Sequence, residues 1–389
     1  MILACMIWNS SPILLHLGKF EIRWYGLLFA LGFLLGAQIM SYIFKKEGRP
    51  LKDVDILTLH IVLGTIIGAR LGHVLFYEFS YFFQHPLEIF LPVVFEPTFK
   101  FIGYQGFASH GAAIGILVAI YLYVNYTISL HGWPPKLTIK KHRRAGQSYL
   151  WVTDRLMIVV ALAGCLIRIG NFMNSEVIGK ATHSQYGVLF AQDVTQQLRS
   201  SSAIEDVKIT KSNAKPTNDS RYLPITLTVV FNHGSSEESA IRNFLAQDVK
   251  HWLVENSYIG RHIDEPATRP LSYELSRNRR GAYVAHINTL GICRHPAQLY
   301  ESFSCLVLFL LLFYRWSTKK NVLRPGEMLG LLLVIVFGLR VFYELFKESK
   351  VAFAGDFGLL RVPQLLSLPL VIAGIVLLIY NRKSSKRTR

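Results

Sequence analysis

Cysteine is scarce. The 389 residues carry only Cys5, Cys165, Cys293 and Cys305, at spacings that suit neither a zinc site nor a disulfide framework. Acidic residues are also few, 25 Asp and Glu against 42 Lys and Arg, so the net charge is +17. There is no internal repeat, no Gly-x-Ser-x-Gly or Gly-x-Ser-Gly around the serine beside His110, and no pair of intramembrane aspartates. These absences argue against a repeat-built transporter or flippase and against an intramembrane hydrolase. The basic residues do not line one soluble face, as a nucleic-acid partner would require; they sit in short loops beside apolar blocks. The apolar opening Met1 to Leu17 has no basic n-region and is interrupted by Asn9, Ser10, Ser11 and Pro12. It reads as an interfacial segment rather than a cleaved leader.

What is abundant is hydrophobic sequence, 51% of the chain, in blocks of roughly 20 residues. Seven candidate spans follow: Arg23 to Phe44, Val54 to Tyr77, Gly106 to Tyr126, Trp151 to Phe172, Pro296 to Trp316, Gly326 to Phe346 and Leu360 to Tyr380. An odd number puts the termini on opposite sides. Basic residues follow spans one (Lys45, Lys46, Arg49, Lys52), three (Lys136, Lys140, Lys141, Arg143, Arg144), five (Arg315, Lys319, Lys320, Arg324) and seven (Arg382, Lys383, Lys386, Arg387, Arg389). The positive-inside rule makes all four loops cytoplasmic, with the N-terminus outside and the C-terminus inside. The fold class is thus an α-helical polytopic membrane protein of about seven transmembrane helices with a small extracytoplasmic α/β head. Its parts are an interfacial segment (1–22), spans one to four (23–179), the head (180–294), spans five to seven (295–381) and a basic cytoplasmic tail (382–389). Within the head, Tyr222 to Phe231 and Gly281 to Ile287 read as strands and Glu238 to Glu255 as an amphipathic helix. Ser200 to Ser220, rich in Ser, Lys and Asn, reads as a solvated excursion whose Ser201 to Asn213 part is dispensable.

Charge inside hydrocarbon needs a reason, since one Arg or Asp at a helix centre costs roughly 2.5–3.5 kcal/mol. With the spans oriented, Tyr25, Arg70, His73, His110, Arg168, Asn171, the run Arg294-His295-Pro-Ala-Gln-Leu-Tyr300-Glu301, Arg340, Glu344, Arg361 and Gln364 all fall near the outer face. Some have plain structural explanations. Arg340 and Glu344 stand at i and i+4 and can pair along one helix, and Arg70 can snorkel or clamp a loop. Arg168, Asn171, Asn174 and Glu176 are harder to explain away, because four polar groups in nine residues exceed what capping needs. Paired arginines suit a phosphate, since guanidinium donates in bidentate fashion and keeps its proton. At that depth the phosphate is a phospholipid headgroup, and a histidine there can take a proton from a second substrate's nucleophile.

These residues resemble the bacterial phosphatidylglycerol:prolipoprotein diacylglyceryl transferases. Arg168-Ile-Gly-Asn-Phe-Met-Asn-Ser-Glu-Val-Ile-Gly179 resembles the family signature. Arg23-Trp-Tyr25-Gly, Gly68-Ala-Arg70-Leu-Gly-His-Val-Leu-Phe-Tyr77, Ser109-His110-Gly111, Arg294 to Glu301, Arg340-Val-Phe-Tyr-Glu344 and Gln364 to Pro369 follow the family's order. The resemblance implies transfer of the sn-1,2-diacylglyceryl group of phosphatidylglycerol to the lipobox cysteine of a prolipoprotein signal peptide, in the bacterial cytoplasmic (inner) membrane, with the active site toward the outer leaflet. It implies no metal and no diffusible cofactor; the partners are those two substrates and the surrounding lipids. By motif position Arg168 and Arg340 bind the phosphate and His110 orients or deprotonates the thiol. Tyr25, Arg70, Asn171, Glu176, Gly179, His295 and Glu344 form the substrate-binding set. The chain departs from the family at Ala112, at Val336 and at Lys347-Glu-Ser-Lys350, and its head is longer, so no role carries over to the head.

Overall fold

The computed structural model describes residues 5–18, 20–91, 93–94, 100–101, 106–131, 136–214, 217–232, 237–348 and 362–387. Leu360 and Arg361, expected to open the seventh span, lie outside them, as do Met1, Ser349, Lys350 and Arg389. Among the described residues are seven helices of 17 residues or more: α1 Trp24–Lys46, α2 Lys52–Phe76, α3 Ser109–Asn125, α4 Tyr149–Met173, α5 Ala297–Lys319, α6 Glu327–Tyr343 and α7 Val362–Arg387. Five of them, α1, α2, α4, α5 and the Pro363–Asn381 stretch of α7, are long and apolar enough to cross a bilayer. The molecule is therefore mostly helical and polytopic. Helices α3 and α6, at 17 residues, reach about 26 Å, somewhat short of a hydrocarbon core of roughly 30 Å.

The chain divides into two compact units. The first comprises Met1–Phe29, Cys165–Ser304 and Gly338–Leu368. Its core is a five-stranded sheet in the order Ile263–Asp264, Tyr283–Ile292, Tyr222–Phe231, Ile204–Lys211, with Tyr273–Arg277 also on Tyr283–Ile292. Tyr222–Phe231 alternates half-buried and buried residues along its whole length, which fixes the register Leu227 opposite Ile287 and Ile209. Glu238–Phe244 and Lys250–Glu255 are helical and joined by a π turn, and Ile241, Leu245, Val249 and Leu253 pack on the sheet.

Two expectations are corrected here. Ile204–Lys211, read as solvated, is an edge strand whose Ile204, Val207 and Ile209 belong to the core. A bulge opposite Val230/Phe231 brings Ile204, not Glu205, against Phe231. That extra residue breaks the period-two signature in the sequence. The cysteine spacing pointed to no disulfide, yet Cys5 is bonded to Cys293 with Cα atoms 6.0 Å apart. The pairing follows from the strand Met6–Trp8, which lies parallel to Val188–Phe190, while the latter's Val188 bridges to Arg294. A contact across 288 residues leaves no local trace in the sequence.

The second unit comprises Ala30–Gly164, Cys305–Phe337 and Pro369–Arg389, with a helical core that includes Phe44, Leu57, Ile120, Tyr123, Ile158 and Trp316. Gly64, Gly68 and Gly72 of α2 meet Gly111 and Gly115 of α3 backbone to backbone. A Cβ on Gly111 would lie 2.2 Å from the Gly68 carbonyl oxygen. Small residues four apart let two membrane helices approach this closely.

Candidate active site

The signature motif ends α4 with a tight hydrogen-bonded turn. Glu176 N–H donates to the Asn171 carbonyl at 2.9 Å and Ser175 N–H to that of Phe172 at 3.1 Å, the paired bonds of a Schellman cap. The left-handed residue of such a cap is usually Gly; here it is Ser175, at φ 55°. Val177 follows at φ 57°, a left-handed β-branched residue. Backbone strain of this kind costs on the order of 1–3 kcal/mol and clusters at functional sites. The two strained residues flank Glu176. Asn171 Nδ2 donates to Glu176 Oε2 at 3.0 Å, Asn174 Nδ2 to Oε1 at 3.3 Å, and Arg168 Nη1 to Asn171 Oδ1 at 3.2 Å.

From α5, Glu301 Oε2 meets Arg168 Nε at 2.6 Å. Its other oxygen faces Lys347 Nζ at 2.5 Å, and Lys347 also lies 3.6 Å from Glu344 Oε2. Arg168, Glu301, Lys347 and Glu344 thus alternate in sign. The structural alternative of Arg340 pairing with Glu344 along the helix is not what forms: among the described residues Arg340 makes no ion pair, and its buried Nε has no hydrogen-bond partner. A buried guanidinium nitrogen left in that state carries a desolvation cost with no compensating partner among the described residues.

The remaining first-unit residues shape the surroundings. The Tyr25 ring lies against Gly170. Gly179 N–H donates to the His295 carbonyl at 3.1 Å, and a Cβ on Gly179 would stand 2.3 Å from that oxygen, so the approach requires glycine. Burial lowers the pKa of His295 below the usual 6.5, and its Nδ1 lies 3.2 Å from the Tyr300 hydroxyl. His295, Tyr300, Phe303, Ser304, Tyr343 and Phe346 line much of a groove of about 510 Å³ along α5 and α6.

Eight of the ten expected site residues therefore belong to the first unit, and Arg70 and His110 to the second. Arg70 is buried and engaged. Its Nε donates to the Ile89 carbonyl at 2.9 Å and Nη2 to that of Glu88 at 2.7 Å, while the guanidinium stacks over Phe82. His110 is exposed in the first turn of α3. Ser175, Val177 and Lys347 were not read from the sequence as site residues, and Glu301 was seen only as part of a helix entry. The run of charge at Glu301, Glu344 and Lys347 was the available signal.

A family model, prolipoprotein diacylglyceryl transferase, matches residues 12–380. The chain is 32% identical to a phosphatidylglycerol–prolipoprotein diacylglyceryl transferase of Tolumonas auensis, over 98% of this chain and 100% of that protein. Proteins of the same name from Chloroherpeton thalassium (28% identical, 98% of this chain and 96% of that one) and Bacteroides fragilis (26%, 99% and 98%) match equally along their lengths. With a match this extensive, the chain belongs to the prolipoprotein diacylglyceryl transferase family.

Proposed function

We propose that this protein transfers the sn-1,2-diacylglyceryl group of phosphatidylglycerol to the lipobox cysteine thiol of prolipoproteins, the first step of bacterial lipoprotein maturation. The sulfur–carbon bond forms as the carbon–oxygen bond to phosphate breaks. A thiolate and a singly charged phosphodiester become a thioether and a doubly charged glycerol phosphate. A catalyst for this step must bind one negative charge and hold a second more tightly still.

The observation that carries the reading is Arg340, a partly buried guanidinium with no ion pair among the described residues. Phosphate supplies what it lacks, and Arg168, whose Nε and Nη1 are taken by Glu301 and Asn171, offers Nη2 to the same anion. Asn171, Glu176, Gly179, Tyr25, Glu344 and His295 hold the headgroup site in shape, and the acyl chains lie along the apolar groove. Arg70 acts by holding the Pro86–Ile89 turn. His110 orients or deprotonates the thiol, because the thiolate is the nucleophile and free cysteine titrates near 8.5.

The protein would sit in the cytoplasmic (inner) membrane with seven spans, its N-terminus and the α/β head (180–294) outside and its C-terminus inside. Four basic loops on one side support this orientation. So does the Cys5–Cys293 bond, since disulfides persist in oxidising compartments. Purified protein in phosphatidylglycerol liposomes, given a lipobox peptide, should yield peptide heavier by one diacylglyceryl group. Cleaved peptide or translocated lipid without that product would overturn the reading.

A further inference from the structure

Lys347 lies four residues past the end of α6, and its side chain is 8% exposed. The main chain fixes its position. Lys347 is bridged antiparallel to Gly179, with Lys180 N–H donating to the Phe346 carbonyl at 2.7 Å and Glu348 N–H to that of Ile178 at 3.2 Å. The loop that carries Glu176 is thereby strapped to the segment that carries Lys347.

The ammonium faces one oxygen of Glu301 at 2.5 Å, and the other oxygen holds Arg168 Nε at 2.6 Å. This arrangement poses a problem for any anion that needs Arg168. An arginine clamped by a carboxylate is a weak phosphate ligand unless the carboxylate can be compensated elsewhere, because a buried charge stripped of its partner is costly. Lys347 offers that compensation without having to move. Its contact with Glu301 Oε1 is a charge contact whose angles do not make a hydrogen bond, so the pair has room to improve if Glu301 turns toward it. The six charges Arg168, Arg340, Lys347, Glu176, Glu301 and Glu344 sum to zero before substrate arrives. Charge is balanced at rest, and binding an anion requires redistribution.

We propose that Lys347 is a positioning residue that acts through Glu301: it takes over the carboxylate when an incoming phosphate diester claims Arg168. This rests on the reading of the site as a phospholipid phosphate site, and it assigns a function to the segment where the chain departs from its family's usual ending. Lys347 itself does not touch the substrate.

The test is steady-state transfer from phosphatidylglycerol liposomes to a lipobox peptide. Lys347→Met leaves Glu301 with Arg168 alone, so the KM for phosphatidylglycerol should rise about tenfold while kcat stays within about twofold. Adding Glu301→Gln removes the competing charge, and the double variant should return to within about threefold of the wild-type KM. A direct phosphate contact by Lys347 would leave the double variant as impaired as the single one, and a purely structural brace would lower kcat without rescue; either result overturns the proposal. Glu301→Gln alone is the independent arm should Lys347→Met fail to accumulate: it should lower the KM, and a raised KM would overturn the proposal. Lys347→Arg keeps the charge and should stay within about twofold. Wild-type protein that transfers nothing refutes the transferase reading itself, whereas active wild type with an unchanged KM in Lys347→Met refutes only the role of Lys347.

Discussion

Both units bury charge, but they account for it differently. In the second unit, Glu47 receives Nε and Nη2 of Arg155 at 3.0 and 2.9 Å and the indole N–H groups of Trp151 and Trp316 at 3.0 and 2.6 Å. Asp53 has Arg144 at 3.7 Å and the Gln147 amide at 2.5 Å, and Asp154 caps the start of α6 through the N–H groups of Gly326 and Leu329 at 2.7 and 3.0 Å. Each of these carboxylates is met on more than one side, as a structural charge must be. The first unit leaves Arg340 with no ion pair among the described residues and no partner at its buried Nε, whereas Arg49 of the second unit, also unpartnered at Nε, donates through Nη1 to the Ala145 carbonyl at 3.3 Å and lies over the Trp151 ring. Buried charge alone therefore does not mark a site; a cation without a partner of its own is the more telling signal.

The largest effect should come from the first unit's sheet. Deleting Ser201 to Asn213 removes the strand bearing Ile204, Val207 and Ile209, and the protein should fail to accumulate in the membrane. Normal accumulation, read by immunoblot of membrane fractions, would return that segment to the solvated role its composition suggests. Next, Arg155→Met in the second unit strands Glu47 and should cost about 3–5 kcal/mol of stability, seen as a lower melting temperature. Turnover per folded molecule should stay within about twofold, and a selective loss of turnover would erase the contrast between the units.

Arg168→Lys keeps charge but loses the fork that serves Glu301 and Asn171 and, in the proposed reaction, phosphate. Transfer should fall roughly a hundredfold, equivalent to on the order of 3 kcal/mol, with accumulation unchanged. Wild-type turnover would reduce Arg168 to a structural part. The smallest and most conditional effect is that of His110→Asn. If His110 assists thiol deprotonation, the mutant-to-wild-type rate ratio should climb as pH rises from about 6.5 toward 9, because the peptide's own thiolate becomes available near its pKa of about 8.5. A ratio flat with pH leaves His110 an orienting role.

Much of the helical framework was legible, because apolar blocks and basic loops are written locally. The signature at Arg168 to Gly179 was legible as a polar cluster, and Tyr222–Phe231 as a strand by its alternation. What escaped were features made by distant or irregular contacts. The bulge at Ile204 hid a strand, parallel pairing of Met6–Trp8 with Val188–Phe190 brought Cys5 to Cys293, and chain reversal after α6 delivered Lys347 to Glu301. The left-handed backbone at Val177 runs against the preference of its own residue type, so no propensity argument reaches it.

The central claim is that Arg340 is held for a ligand rather than for the fold, and Arg340→Met tests it in one preparation. Melting temperature and transfer from phosphatidylglycerol to a lipobox peptide are read on the same sample. A partly buried cation with no ion pair among the described residues adds none to the resting protein there, so its replacement by an apolar side chain should leave the melting temperature unchanged or higher while transfer falls at least a hundredfold. A marked drop in melting temperature with transfer per folded molecule preserved would contradict the account.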